Sequence, residues 1–207
     1  MKYIIGLGGS IICPDKINTA YLRRFSRFIK KQVKLRNKFI IITGGGITAR
    51  NYQKSALKLN VSSADRDWIG IRASQLNAEL LKGLLKSKSV SIWAGQIPGR
   101  STDWVAVKAA VDLNIKEVLL LGKPDYVYTS DFEKDKTAKP IESMTFKEYF
   151  KIIPSKWQPG LSVPIDPVAA RLAQKEGIKI IVAEADNLNN LKKILENKEF
   201  KGTTIWQ

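Results

Sequence analysis

Three glycine turns each follow a short apolar run. They are Gly8-Gly9-Ser10 after Lys2–Leu7, Gly44-Gly45-Gly46 after 39–42, and the stretch from Gly95 to Gly99 after Val90–Trp93. A glycine at a strand end lets backbone N–H groups reach an anion with no Cβ in the way. The second and third turns also precede helical patterns, whose N-termini favour negative charge. One such turn is commonly just a turn; three at strand ends point to one anion-rich site. Arg50 falls in the first turn of the helical pattern after Gly46, where its guanidinium could bridge phosphate oxygens, although a surface helix arginine would look the same. Asp67 and Asp103 lie near helix starts and can equally be read as carboxylates complementing a helix dipole. No GxxxxGK[ST] pattern occurs, and no GxGxxG opens a helix, so a P-loop NTPase and a standard dinucleotide-binding domain are both excluded.

The chain contains no histidine. That removes Ser-His-Asp and Cys-His sites, histidine general-base chemistry and His-ligated zinc. Phosphoryl transfer needs none of them, because it works by positioning and charge stabilisation. Cys13 is the single cysteine, so no internal disulfide can form, and a reducing cytoplasm is the expected compartment. Its simplest reading is a small buried hydrophobe. Lys and Arg outnumber Asp and Glu by 35 to 19, a formal charge of +16 that attracts nucleotides as well as nucleic acid. Basic residues run from Arg23 to Lys201, often within helical patterns such as Arg23, Arg24, Arg27, Lys30 and Lys31, which read as a solvated face. A nucleic-acid partner is not expected on this ground.

The elements that must position these residues alternate between strand and helix. Apolar runs at Lys2–Leu7, 39–42, Val90–Trp93, 118–121 and 178–183 suit strands buried on both faces, with a last strand over 203–206. Helical spacing covers 21–35, 48–59, a long segment from about 63 to 86, a segment after Ser101 or Thr102, and Leu188–Leu195. Asn18 or Thr19, Ser62, Thr145 and Asp166 with Pro167 read as helix starts, and Gly177 as a helix stop. Strand–helix alternation predicts a three-layer α/β/α sandwich with a mainly parallel central sheet, whose ligand lies beyond the carboxyl ends of the strands. With 207 residues, 44% apolar and 26% charged, one domain over 1–207 is expected. No apolar run is long enough to span a bilayer, and residues 1–6 are too short and too soon broken by glycine to be a signal peptide, so no membrane partner is expected.

The ordered motifs resemble a known family. Gly8-Gly9-Ser10 and Thr43-Gly44-Gly45-Gly46-Ile47-Thr48-Ala49-Arg50 are similar to the opening of the amino acid kinase superfamily. Asp67-Trp68-Ile69-Gly70-Ile71 with Asn77-Ala78, Pro98-Gly99-Arg100-Ser101-Thr102-Asp103, Val127-Tyr128-Thr129-Ser130-Asp131, Asp135-Lys136-Thr137-Ala138-Lys139, Ile165-Asp166-Pro167 and Gly202-Thr203-Thr204-Ile205 extend the likeness to archaeal-type UMP kinases over nearly the whole chain.

The resemblance implies transfer of the γ-phosphoryl group of ATP, as its Mg²⁺ complex, to UMP in pyrimidine nucleotide biosynthesis. On the ATP side it implies Gly9, Ser10, Gly46, Arg50, Gly122, Tyr128 and Asp131. On the UMP side it implies Gly45, Asp67 and the stretch Gln96, Ile97, Pro98, Gly99, Arg100, Ser101 and Thr102. Ser10, Arg50 and Asp103 are the implied catalytic group, with Lys123 a candidate addition that the family pattern does not supply; Asp166 reads as a structural helix cap, and no protein metal ligand is assigned. A homo-oligomer, dimer or hexamer, is implied as well.

The chain departs from the pattern in several places, among them Pro124 and Tyr126, which alter the backbone of the segment before Val127. Gly6 stands where many members have a lysine. Lys123 replaces an asparagine and is either a substitute cation or a surface lysine. Trp104 replaces a small residue, and the chain is shorter between Leu85 and Ser89. Two other readings stay open: another phosphotransferase of the superfamily, and a non-catalytic nucleotide- or oxyanion-binding member similar to molybdenum storage proteins.

Overall fold

A computed structural model describes residues 1–131, 134–156 and 163–207. The chain opens with β1 (Lys2–Leu7), a four-residue α1 (Gly9–Ile12), α2 (Thr19–Lys34), β2 (Lys38–Thr43), α3 (Gly46–Lys58), α4 (Ser63–Leu85) and β3 (Val90–Trp93). It continues through α5 (Thr102–Asp112), β4 (Glu117–Gly122), β5 (Val127–Tyr128), β6 (Pro140–Ile141), β7 (Ser143–Met144), α6 (Phe146–Ile152), α7 (Pro167–Glu176), β8 (Lys179–Glu184), α8 (Leu188–Leu195) and β9 (Thr203–Ile205). Asn18, Ser62, Ser101, Thr145 and Asp166 cap the helices that follow them, and Thr145 with Glu148 closes a full capping box. Gly177 ends α7 at φ +62, a left-handed conformation that glycine adopts without a Cβ penalty.

Among the described residues, seven strands form one sheet in the order β3-β2-β1-β4-β8-β9-β7. β3, β2, β1, β4 and β8 pair in parallel, and β9 runs antiparallel to β8. Strand side chains alternate between two packed layers. Ile4, Ile42, Leu120 and Val182 face α5, α6 and α7. Ile5, Ile41, Leu121 and Ile181 face α2, α4 and α8. The result is the three-layer α/β/α sandwich expected from the alternation.

The chain leaves β1 toward β2 and β3 on one side of the sheet, then returns to β4 and β8 on the other. The crevice between β1 and β4 is therefore a topological switch point, where open α/β sheets bind ligands. Two bonds carry the ladder past the strand ends here: Gly8 N–H donates to Leu121 O at 2.8 Å, and Gly44 N–H donates to Leu7 O at 3.0 Å. Between α4 and β3 the chain turns in four residues, starting at Lys86 in the left-handed region with φ +38.

Candidate functional site

A cavity of about 960 Å³ opens at this switch point. The turns after β1 and β2 meet at its centre, backbone against backbone. A Cβ on Gly9 would lie 2.1 Å from Gly46 N and 2.6 Å from the Gly44 carbonyl carbon. Gly46 begins α3 at φ +66, and a Cβ there would lie 2.4 Å from Gly9 O. Only chain without side chains can close this contact. The first turn also opens a helix, α1, which is too short to leave a periodic sequence signal.

One end of the cavity is built from α4, the loop before α5, and the start of α5. Asp67 is 9% exposed and accepts from Gly99 N–H at 2.7 Å. It lies in the second turn of α4, since Asp65 occupies the first. The helix-dipole reading therefore gives way to a tie between α4 and the 95–101 loop. Burial raises its pKa; the Gly99 N–H and the charge of Arg66 oppose this. The Arg100 guanidinium lies 5.3 Å from the centre of the Trp104 ring. The bulky residue at 104 thus holds a cation at the cavity rim.

Ser101 caps α5, and its hydroxyl donates to Asp166, the residue that caps α7 through Val168 N–H at 2.7 Å and Ala169 N–H at 3.0 Å. Asp166 N–H donates in turn to Asp103 Oδ2 at 3.3 Å. Burial first, and then the charge of Asp166, push the Asp103 pKa up to about 7, with the Asp166 N–H pulling the other way. Asp166 is the structural cap read from its Asp-Pro sequence, and it also sets the environment of Asp103.

The other end carries Gly122, Lys123, Tyr128, Asp131 and Lys134. The β5–β6 ribbon holds Tyr128, and Val127 N–H anchors that ribbon to Thr203 Oγ1 at 2.7 Å. Tyr128 OH donates to Asp125 at 2.7 Å, and that bond leads the causes raising its pKa to about 12. Asp131 pairs with Lys134 at 3.3 Å. Tyr126 packs edge-on against Tyr128, with ring centres 6.5 Å apart.

The structure brings together on this cavity Gly9, Ser10, Gly45, Gly46, Arg50, Asp67, Arg100, Ser101, Thr102, Asp103, Gly122, Lys123, Tyr128 and Asp131. Gln96, Ile97, Pro98 and Gly99 do not line it. Gln96 borders a shallower groove between α4 and β3, Ile97 points outward at 52% exposure, and Gly99 contributes through its N–H to Asp67. Arg50 is exposed in the second turn of α3 rather than the first, because the helix already begins at Gly46. Cys13 is buried, as a small hydrophobe should be.

Gly6 lies on the cavity floor beside Leu120, its register partner, whose Cδ2 sits 2.6 Å from where a Gly6 Cβ would be. Leucine at 120 therefore fills the space a larger residue at 6 would enter. Two positioning residues carry no assigned role in the sequence reading: Asn77 enters it only as part of a motif, and Ser74 does not enter it at all. Asn77 donates to Gly44 O at 2.7 Å, and Ser74 Oγ accepts from Gly95 N–H at 3.0 Å. Both are buried on α4 and fix two of the glycine turns, a role hidden because their spacing also fits a packed helix face.

Residues 1–96 and 94–184 match the amino acid kinase family. The chain belongs to that family. Within it, uridylate kinase from Thermoplasma volcanium is 33% identical, with 98% of this chain and 96% of that protein covered. Uridylate kinase from Pyrococcus abyssi is 29% identical, with 99% of each covered. Among solved family structures, uridylate kinase from Archaeoglobus fulgidus superposes with a TM-score of 0.82 at 29% identity, covering 99% of this chain and 100% of that one.

Proposed function

We propose that this protein, as one domain over residues 1–207, is a cytoplasmic UMP kinase that transfers the γ-phosphoryl group of ATP to UMP, giving UDP and ADP. The observation that carries this reading is a cavity with glycine turns at its centre and a distinct wall at each end. Two nucleotides laid end to end would bring their phosphates together at the turns. The full-length likeness to uridylate kinases supports the choice of acceptor.

On this reading UMP takes the end formed by Asp67, Arg100 and Thr102, with Asp67 accepting from the ribose hydroxyls and Gly45 approaching the acceptor phosphate. ATP takes the end formed by Gly122, Tyr128 and Asp131, with its phosphates against Gly9, Ser10 and Gly46. A UMP phosphate oxygen attacks the γ-phosphorus, and the bond from that phosphorus to the bridging oxygen of ADP breaks. Arg50 and Lys123 line the cavity where charge builds on the moving group. Holding both substrates in line can supply about 7–11 kcal/mol of the barrier reduction in favourable cases. Among the described residues no group of three His, Cys, Asp or Glu side chains could hold a metal. Mg²⁺ would arrive on the ATP phosphates, as is usual for this hard, strongly hydrated cation, and no protein cage is assigned to it.

The same reading includes a homo-oligomer. α4 exposes Trp68, Leu76 and Leu80 along one stripe, and Gly83 on that side faces open space. Two antiparallel copies of α4 meeting near Leu76 would set Trp68 over Gly83 and Arg72 against Glu79. That arrangement is complementary in both shape and charge.

The test is initial rates of ADP release with UMP, CMP, isopentenyl phosphate, aspartate and N-acetylglutamate as acceptors. UMP should be fastest by at least about tenfold in kcat/KM. Binding of ATP and UMP without turnover would instead favour the non-catalytic alternative.

A further inference from the structure

Basic residues occur throughout the chain, but their surplus over acids does not. Residues 16–64 hold twelve Lys and Arg and no Asp or Glu. The remainder holds 23 basic and 19 acidic residues, a surplus of four. Most of the +16 therefore comes from under a quarter of the chain. Half of the twelve lie on α2: Arg23, Arg24, Arg27, Lys30, Lys31 and Lys34, all exposed. The opposite face of α2, with Leu22, Phe25 and Ile29, is buried against the sheet.

The charged face is arranged in a way that stability alone does not favour. Arg23 with Arg27, Arg27 with Lys31, and Lys30 with Lys34 are like charges four residues apart, which weakens a helix. Arg24 pairs with Asp186 at 2.6 Å; among the described residues the other five make no ion pair. From Arg23 to Lys34 the row runs about 16 Å along the helix. It continues at the foot of the sheet through the exposed residues Arg36, Lys38 and Lys2, the last two being register partners on adjacent parallel strands. None of these residues lines the nucleotide cavity, so the proposed reaction does not use their charge.

We propose that the outward face of α2, continued by Arg36, Lys38 and Lys2, binds the phosphate backbone of double-stranded nucleic acid without reading its sequence. A rigid row of cations with no acids interspersed matches a regular row of phosphates. The aromatic residues of α2 are buried or half-buried, so the surface has no stacking platform for single-stranded bases. Its apolar face is committed to the core, which leaves nothing to insert into a lipid surface.

The test is anisotropy of a fluorescein-labelled DNA duplex of mixed sequence titrated with the full chain. Saturable binding near physiological salt is expected, with log affinity falling against log salt at a slope of about −4, the value for four to five phosphate contacts. The triple variant Arg27→Glu, Lys30→Glu, Lys34→Glu should lose at least about tenfold in affinity and keep the parent's kinase rate. A control with the same charge change on the far face, Lys147→Glu, Lys151→Glu, Lys175→Glu, should stay within about twofold of the parent. Equal losses in both variants would assign the effect to net charge and overturn the proposal. So would an absence of saturable duplex binding, or tighter binding to the separated strand or to phosphatidylserine vesicles.

Discussion

Gly9 and Gly46 meet backbone to backbone, and no side chain can be added without moving one turn off the other. Gly9→Ala should therefore cost at least about 3 kcal/mol of stability, at the upper end for overpacking, because the clash is with main chain rather than with a flexible side chain. Urea unfolding measures it, and nucleotide binding should weaken in parallel. Asp103 gives a second prediction at this scale. Its carboxyl holds a proton to about pH 7 in the folded chain, against an ordinary value of 3.8. Between those values the native state binds more protons than the unfolded one, so this group's contribution to stability falls as pH rises. Asp103→Asn does not titrate. Relative to the parent it should gain stability progressively from pH 4 to 7, hold that gain above pH 7, and show no gain below pH 4. Paired thermal melts across that range check the sign.

At the scale of elements, the site rests on helix starts that the sequence displays openly. Asn18, Ser62, Ser101, Thr145 and Asp166 are short polar residues placed ahead of apolar spacing, and each caps as its type requires. Elements too short for a period were not legible: α1 has four residues, and β6 and β7 have two each. Contacts between elements were not legible either. Tyr149 of α6 is buried; its hydroxyl donates to Ile165 O and accepts from Ile165 N–H, both at 2.7 Å. That clasp fixes the residue preceding Asp166, and through Asp166 it positions Asp103. Tyr149→Phe leaves two backbone groups without their partner and should cost roughly 1–3 kcal/mol. If the clasp positions the site, kcat should fall while the KM values hold, and the pH dependence of kcat should shift. A purely structural residue would change only the unfolding midpoint.

At the scale of the molecule, the layers followed from strand–helix alternation, but the strand order did not. β1 sits between β2 and β4 through pairings set by long-range packing, which no local pattern encodes. The cavity therefore became visible only when the turns of separate strands met. The exposed stripe on α4 also belongs to this scale. A glycine on the exposed face of a long helix weakens it, unless another surface needs the space. Gly83→Glu should convert the oligomer to a smaller species by light scattering without loss of helix content. An unchanged mass would remove α4 from the interface.

The central claim is that one cavity holds donor and acceptor phosphates in line. It is tested most directly by incubating the protein with UMP and ATP labelled at the γ-phosphate, then separating the products. The account predicts label in the β-phosphate of UDP, in amounts equal to the ADP formed. Label appearing only as inorganic phosphate, or no UDP at all with both nucleotides bound, would contradict it.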